Sequence, residues 1–197
     1  MFPIIIKGII AGFSLAAPGE AIGFLCLKET EQNILIGITT GLAAASADFL
    51  YGVLAIIIFQ IAHSFFVSSH IIFTIIAGLF LCGFGLKRFF DTPSLESIQP
   101  IKGNVRKIFI TTFLFTLTNS STILEFISLF IGFDITINHN HELLFFVAGV
   151  FLGSLLWWIC IIILDELYAQ KTSITILRFL NYISALIIFA FGVYTLI

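Results

Sequence analysis

Charged residues are scarce in this chain of 197 residues: Lys, Arg, Asp and Glu make up 10% of it, whereas 59% is hydrophobic. A soluble domain usually has about 25% charged and about 45–50% apolar residues. Nine Lys and Arg residues against eleven Asp and Glu leave a net charge of −2, and no basic tract is present. These shortages exclude an ordinary soluble domain and a nucleic-acid-binding protein, and they indicate an integral membrane protein.

Cysteines and catalytic motifs are also sparse. Cys26, Cys82 and Cys160 lie far apart in apolar runs, and this odd, dispersed set predicts neither a disulfide framework nor a metal site. The sequence has no phosphate-binding Gly-rich loop, no Gly-x-Ser-x-Gly elbow and no His-Glu-x-x-His motif. The run His139-Asn140-His141-Glu142 lacks a fixed metal-ligand spacing. We therefore predict no enzyme, no bound metal and no cofactor.

Long uncharged runs dominate what remains. A helix needs about 20 residues to cross a bilayer core about 30 Å thick. Six apolar stretches meet or approach this length, and in chain order they are 3–27, 34–62, 71–86, 108–133, 143–164 and 179–197. They predict an all-α integral membrane protein with six transmembrane helices. Lys7 lies inside the first stretch rather than before it, which disfavours a cleaved signal peptide.

The distribution of Lys and Arg predicts the orientation. Eight of the nine lie on the side that holds the loops after the first, third and fifth stretches. By the positive-inside rule, both termini lie outside and the 87–107 loop is cytoplasmic. This topology explains the basic residues of that loop, to which contact with anionic headgroups would add. They are Lys87, Arg88, Lys102, Arg106 and Lys107.

The two halves of the chain resemble each other weakly but in order. Residues 47–51 align with 153–157 at an offset of 106, and 83–86 align with 190–193 at an offset of 107. Copies of a three-span unit enter the membrane from opposite sides, as in many secondary transporters. We therefore predict two inverted three-helix repeats.

The first repeat covers residues 1–90, the second covers 107–197, and a cytoplasmic loop, 91–106, joins them. Both repeats have a helix-breaking segment in their first span, Pro18-Gly19-Glu20 in one and Asn119-Ser120-Ser121 in the other. Broken helices at membrane depth are tolerated where they are buried in protein or line a cavity. The paired breaks therefore predict a substrate site near the membrane midplane.

The chain resembles the LysE/RhtB family of bacterial amino-acid exporters. The resemblance rests on the order and spacing of several short motifs along nearly the whole chain. They are the run Gly12 to Gly19, Gly37 and Gly41 followed by Ala47-Asp48, the run Gly78 to Arg88, Thr118-Asn119, and Asn181 to Ala185 leading into Phe191 to Tyr194. Two departures are Glu20, where the family has a second proline, and Ser120-Ser121, where it usually has Pro-Lys.

The resemblance implies a location in the bacterial inner membrane. It also implies secondary export of an amino acid or similar small polar metabolite, driven by an ion gradient and exchanged for protons. The expected partners are a small-molecule substrate and membrane lipids, with self-association open. The two departures leave a changed substrate, or loss of transport, as alternatives.

Three carboxylates lie within the predicted spans: Glu20, Asp48 and Glu125. An ionisable residue at the centre of a span costs roughly 2.5–3.5 kcal/mol and usually faces the protein interior. Asp48 lies nearest the middle of its span, where it would bind a substrate ammonium or carry a proton. We assign proton coupling to Asp48 and Glu20. The alternative is a carboxylate that only holds two helices together.

The broken segments provide a second kind of ligand. Backbone N–H groups freed around Pro18, Gly19 and Ser120 would bind a substrate carboxylate at a helix N-terminus, assisted by the side chains of Asn119 and Ser121. Alternatively, the hydroxyls bond back to carbonyls of their own helix. A further pair, Tyr51 and Trp157, occupies matching repeat positions, and these residues either line the cavity or pack between helices.

Two rival functions remain open at this stage. A divalent metal-ion exporter of related architecture would need several carboxylates or histidines to converge within the membrane. A non-transporting membrane scaffold would need no polar site at all.

Overall fold

The computed structural model describes residues 2–16, 21–61, 70–90, 99–119, 121–132, 140–167 and 174–197. These residues form eight α-helices and no strand, which confirms the all-α prediction. The helices are α1 (Phe2–Leu15), α2 (Ala21–Gln32), α3 (Ile34–Ile61), α4 (His70–Phe90), α5 (Val105–Leu117), α6 (Ser121–Gly132), α7 (Asn140–Leu167) and α8 (Ile174–Leu196).

The helices follow the six apolar stretches of the sequence. Stretches one and four each hold two helices, α1 with α2 and α5 with α6, while the other four stretches hold one helix each. Within the described residues, three segments are long and apolar enough to cross a membrane: Ile34–Ile58, Ile71–Phe90 and Leu144–Leu167. Two shorter apolar helices, Pro3–Leu15 and Asn181–Leu196, accompany them.

Asparagine side chains cap the N-termini of two of the helices. The Asn33 Oδ1 atom accepts a hydrogen bond of 2.8 Å from the Leu35 amide at the start of α3. The Asn104 Oδ1 atom accepts one of 3.0 Å from the Lys107 amide at the start of α5. Each bond satisfies an amide that has no partner within its helix. The asparagines therefore set where α3 and α5 begin.

Glycines let α1 and α7 pack backbone against backbone. Gly8 and Gly12 of α1 face Gly149 and Gly153 of α7, and a Cβ atom at any of the four would collide with the facing main chain. Helices in a membrane associate through such small-residue faces, because lipid provides little hydrophobic driving force between them. These four glycines therefore fix how α1 crosses α7.

A second glycine contact joins α4 to α8. A Cβ atom at Gly85 would lie 2.8 Å from the Phe189 amide nitrogen, and one at Gly192 would lie 2.6 Å from the Cys82 amide nitrogen. The long helices α3 and α7 pack against each other at the centre. Around them lie the largest buried side chains, which include Trp157, Phe24, Phe126 and Phe146.

Candidate functional site

A buried carboxylate lies where α3 meets α7. Asp48 is 5% exposed and Ser154 is fully buried, and the Ser154 Oγ donates a hydrogen bond of 2.6 Å to the Asp48 Oδ2. Small residues surround Asp48 along α3, since Ala43, Ala44, Ala45 and Ala47 are all fully buried. Their small volume brings the two helices close enough for the bond. The sequence identified Asp48 correctly as a carboxylate within the protein interior.

Two further charged side chains are near Asp48. Glu125 on α6 is 1% exposed and Arg88 on α4 is 6% exposed. Both lie close enough to interact electrostatically with the Asp48 carboxylate. We call Asp48, Ser154, Glu125 and Arg88 the Asp48 cluster. It combines two carboxylates with one guanidinium in the protein interior.

The buried position of Arg88 corrects the interpretation from sequence, which placed it among basic residues of a cytoplasmic loop. Its Nη1 donates to the Ser14 carbonyl at 3.1 Å and to the Ser184 Oγ at 3.4 Å. Its Nη2 donates to the Leu15 carbonyl at 3.4 Å. The charge count along the chain gave no sign of these contacts. The sequence feature that could have indicated a buried polar partner was the pair Asn181 and Ser184 within an apolar helix.

Tyr51 and Trp157, which the predicted repeat pairs, each contact the other half of the chain. The Tyr51 hydroxyl donates to the Leu117 carbonyl at 2.7 Å and to the Asn119 carbonyl at 3.2 Å, at the end of α5. Trp157 packs edge-to-face on Phe13, near the end of α1, with ring centroids 5.2 Å apart. Each aromatic residue therefore packs beside the helix that precedes a break in the other half of the chain.

The hydrogen bonds of these two aromatics differ. The indole Nε1 of Trp157 is buried and, in the part of the chain that the structure describes, has no hydrogen-bond partner. A buried donor without a partner costs about 1–3 kcal/mol, and such groups in native proteins need an explanation. Trp157 therefore offers a free donor, whereas the Tyr51 hydroxyl is satisfied by backbone carbonyls.

The two breaks are described only at their edges. Pro18, Gly19, Glu20 and Ser120 lie outside the described residues, and so does the side chain of Ser121. At the second break, Asn119 is exposed, and its carbonyl accepts from the Thr122 amide at 3.2 Å.

One hydroxyl at this break does bond back to its own helix. The Thr118 Oγ1 donates to the Phe115 carbonyl at 2.6 Å. A hydroxyl that bonds to a carbonyl of its own helix is what the alternative interpretation of the sequence predicted for this segment. The part that the two break segments play in substrate binding stays a prediction.

A further buried carboxylate, which the sequence interpretation missed, lies beyond the first apolar stretch. Glu29 on α2 is fully buried; it accepts a hydrogen bond from the Thr40 Oγ1 and one of 3.1 Å from the Ile101 amide. Burial raises the pKa of the Glu29 carboxyl above its ordinary value. The carboxylate ties the start of α3 and the segment before α5 to α2.

The described residues include an open cavity of about 430 Å³ between α1 and α8. It is lined by Lys7, Ile187, Ala190, Phe191 and Tyr194, none of which is a predicted site residue. Within the same described ranges, no three His, Cys, Asp or Glu side chains are grouped closely enough to hold a metal ion. The Asp48 cluster, by contrast, brings three buried charged side chains near one another.

Apolar helices of membrane-spanning length around a buried, charged centre are the features of a membrane transport protein. The family model described as "LysE type translocator" matches residues 15–197. The chain therefore belongs to the LysE type translocator family, as the resemblance of its sequence motifs predicted. Neither a curated protein nor a solved structure matches the chain.

Proposed function

We propose that this protein is a secondary exporter of an amino acid or similar small polar metabolite in the bacterial inner membrane. The observation that carries the proposal is the Asp48–Ser154 pair, buried between the two long central helices with Glu125 and Arg88 nearby. Membership of a translocator family supports transport as the activity.

The proposed architecture is six spans arranged as two inverted repeats. Asp48 and Ser154 differ by 106 residues, which is the offset of the sequence repeat at that point. The α4–α8 contact follows the second offset, because Gly85 meets Ala185 and Phe189 while Gly192 meets Gly78 and Cys82. Adding 107 to Gly78, Cys82 and Gly85 gives Ala185, Phe189 and Gly192. Reciprocal contacts of this kind support a two-fold relation between the halves.

The proposed orientation follows from the positive-inside rule, with both termini outside and the segment between α4 and α5 in the cytoplasm. In this arrangement the alternating-access motion is a rocking of one repeat against the other around a fixed central site. Residues 48 and 154 are equivalent positions in the proposed repeats, so a bond between them supports a site on the axis that would relate the two halves.

The charges of the Asp48 cluster suggest how substrate and proton exchange. With Asp48 and Glu125 both ionised and Arg88 protonated, the cluster has one net negative charge. Either a substrate ammonium group or a proton on Asp48 neutralises it. The two compete for one place, and this competition couples outward movement of the substrate to inward movement of a proton. Glu20 provides a second protonation site at the first break.

The substrate carboxylate has its own donors in this proposal. Trp157 lies one helical turn beyond Ser154 on α7, and its buried indole N–H has no partner among the residues that the structure describes. In the proposal, the predicted breaks at Gly19 and Ser120, which lie outside the described residues, would add backbone amides to it. A zwitterionic amino acid suits carboxylates at one end of the site and donors at the other.

The alternative functions have less support. A divalent-metal exporter needs several carboxylate or histidine ligands close together, and the described residues contain no group of three or more. A scaffold needs no buried charges, which are costly within a membrane, yet the Asp48 cluster has three.

Counterflow in proteoliposomes tests the proposal. The vesicles are preloaded in turn with each amino acid of a panel, and the uptake of the labelled amino acid is followed. We expect selective counterflow with one or a few amino acids. No counterflow from folded protein would contradict amino-acid export, and a positive result with divalent metals instead would establish the first alternative.

A further inference from the structure

The inference concerns the place where α1 ends. Its last residues, Ser14 and Leu15, precede the first break, and the final carbonyls of a helix have no partner within that helix. Those carbonyls also carry the partial negative charge of the helix dipole. In this structure the carbonyls of Ser14 and Leu15 accept hydrogen bonds from Arg88.

The guanidinium is held from three helices. On α8, the Ser184 Oγ accepts from Arg88 at 3.4 Å and donates to the Ser14 carbonyl at 2.6 Å. On α4, the Phe84 ring lies under the guanidinium, 4.9 Å from its central carbon to the ring centroid. The Asn181 Nδ2 donates to the Arg88 carbonyl at 2.7 Å and fixes that turn of α4. The side chain is therefore part of a built site and does not extend into solvent.

This site has the chemistry of an alkali-cation site. In transporters with discontinuous helices, carbonyls at the end of a half-helix coordinate a transported Na⁺. Here the Ser14 and Leu15 carbonyls and the Ser184 hydroxyl provide such oxygens. The Ser14 Oγ is a further oxygen, 2% exposed and, among the described residues, without a hydrogen-bond partner. A positive charge is already present among these oxygens, covalently attached to α4.

We infer that Arg88 is a tethered cation that fills this carbonyl site, so that transport runs without Na⁺ and removal of the guanidinium opens the site to Na⁺. The transport part of this inference rests on the proposed function, whereas the occupation of the site does not. Arg88 is thus a positioning residue: it stabilises the broken end of α1 and links it to α4 and α8.

Thermal unfolding of the purified protein in detergent tests the occupation. The variants are Arg88→Ala, Arg88→Lys and Lys87→Ala, the last being a control because Lys87 is the exposed neighbour on the same helix. Each is unfolded in sodium chloride and in choline chloride at equal ionic strength, with and without millimolar guanidinium.

We expect the unfolding midpoints of the wild type, Arg88→Lys and Lys87→Ala to be the same in both salts. Arg88→Ala is expected to unfold several degrees lower in choline chloride and to recover, saturably, with guanidinium or Na⁺. A Na⁺-specific rise in the wild type would overturn the inference. So would an Arg88→Ala variant that matches the wild type in choline chloride, or one that neither cation restores.

If Arg88→Ala does not fold, Ser184→Ala provides a second test of the inference. It removes one partner of the guanidinium and leaves the cation in place. Its midpoint is expected to fall and to remain insensitive to Na⁺; a Na⁺-specific rise would contradict the inference.

Wild-type counterflow with Na⁺ replaced by choline separates the two proposals. Equal counterflow in both salts supports Arg88 as the resident cation. Counterflow that requires Na⁺ would confirm transport and overturn the inference. Absence of any counterflow would contradict the proposed function, while the unfolding experiments would still decide whether Arg88 fills the site.

Discussion

The carboxylate of Asp48 on α3 and the hydroxyl of Ser154 on α7 are joined by a hydrogen bond of 2.6 Å in the protein interior. The proposed repeat would make the two positions equivalent, yet one residue is acidic and the other is neutral. If both positions were acidic, two carboxylates would face each other in a region of low dielectric, where like charges repel strongly. The pair therefore holds one buried charge with a hydrogen-bond donor beside it.

Asp48→Asn tests whether that charge drives transport. Asparagine retains an oxygen that accepts the Ser154 hydrogen bond, so the variant is expected to fold and insert into the membrane. Without the charge, we expect counterflow to fall about tenfold or more, which corresponds to about 1.4 kcal/mol of lost interaction. Counterflow is compared at equal protein content. Normal transport by the well-expressed variant would refute Asp48 as the coupling group.

Ser154→Ala is the matching change on the other side of the bond. It leaves the Asp48 carboxylate buried with one donor fewer, at a cost of about 1–3 kcal/mol. We expect a lower unfolding midpoint, and an additional loss of transport if the bond also orients the carboxylate. Ser46→Ala is the control, because the exposed Ser46 hydroxyl only bonds to the Leu42 carbonyl of its own helix. Equal midpoints for the two variants would contradict a stabilising role for the Asp48–Ser154 bond.

Part of this site was predictable from the sequence because charged residues are rare within membrane-spanning segments. Asp48 and Glu125 stand alone in apolar runs, and such residues face the protein interior. The all-α fold followed from the same runs, and the helices end within a few residues of the predicted limits. Tyr51 and Trp157 were identified from the repeat, although only the structure distinguishes their hydrogen bonds.

Arg88 and Glu29 could not be assigned from the sequence because each lies near the end of an apolar run. The positive-inside count assigns charged residues near the end of an apolar run to the adjoining loop, and so treats them as exposed to solvent. Their burial depends on contacts with distant parts of the chain: Arg88 bonds to Ser14 across 74 residues, and Glu29 bonds to Ile101 across 72. Such contacts arise from helix packing, which leaves no periodic pattern in the sequence.

Tyr51→Phe tests the link between α3 and the end of α5. The change removes the hydroxyl that donates to the Leu117 carbonyl at 2.7 Å, and a net loss of about 0.5–1.5 kcal/mol is expected. For a protein of this size, about 1 kcal/mol lowers the unfolding midpoint by about 2–4 °C. Tyr194→Phe is the control, since Tyr194 is 70% exposed. A midpoint for Tyr51→Phe as high as that of the control would contradict the prediction.

Gly153→Ala tests the close crossing of α1 and α7. The added Cβ atom would collide with the Ile9 carbonyl oxygen and lie 2.8 Å from the Phe13 amide nitrogen, both of which are main-chain atoms. Overpacking of this kind costs about 1–3 kcal/mol. Gly83→Ala adds the same atom where nothing lies within 4 Å, so it should leave the unfolding midpoint unchanged or raise it. Equal losses for both variants would show that helix contact is not the cause.

The raised pKa of Glu29 leads to a prediction of how the stability of the folded protein depends on pH. Because burial raises the pKa of Glu29 in the folded protein above its ordinary value of 4.5, the folded state holds more protons than the unfolded state between these two values. Stability is therefore greatest below the ordinary pKa and falls as the pH rises through the raised pKa of the folded protein. Glu29→Gln removes this contribution, since glutamine does not titrate.

The measurement is the unfolding midpoint at a series of pH values from neutral to mildly acidic, for the wild type, Glu29→Gln and Glu31→Gln. Glu31 is the exposed neighbour on α2, so its variant should follow the wild type. On acidification, the midpoint of Glu29→Gln is expected to rise less than that of the other two, because the relief of a buried charge is absent from it. A variant that parallels the wild type would mean that Glu29 binds no more protons in the folded state than in the unfolded one. In that case its bonds to Thr40 and Ile101 would offset the cost of burial completely.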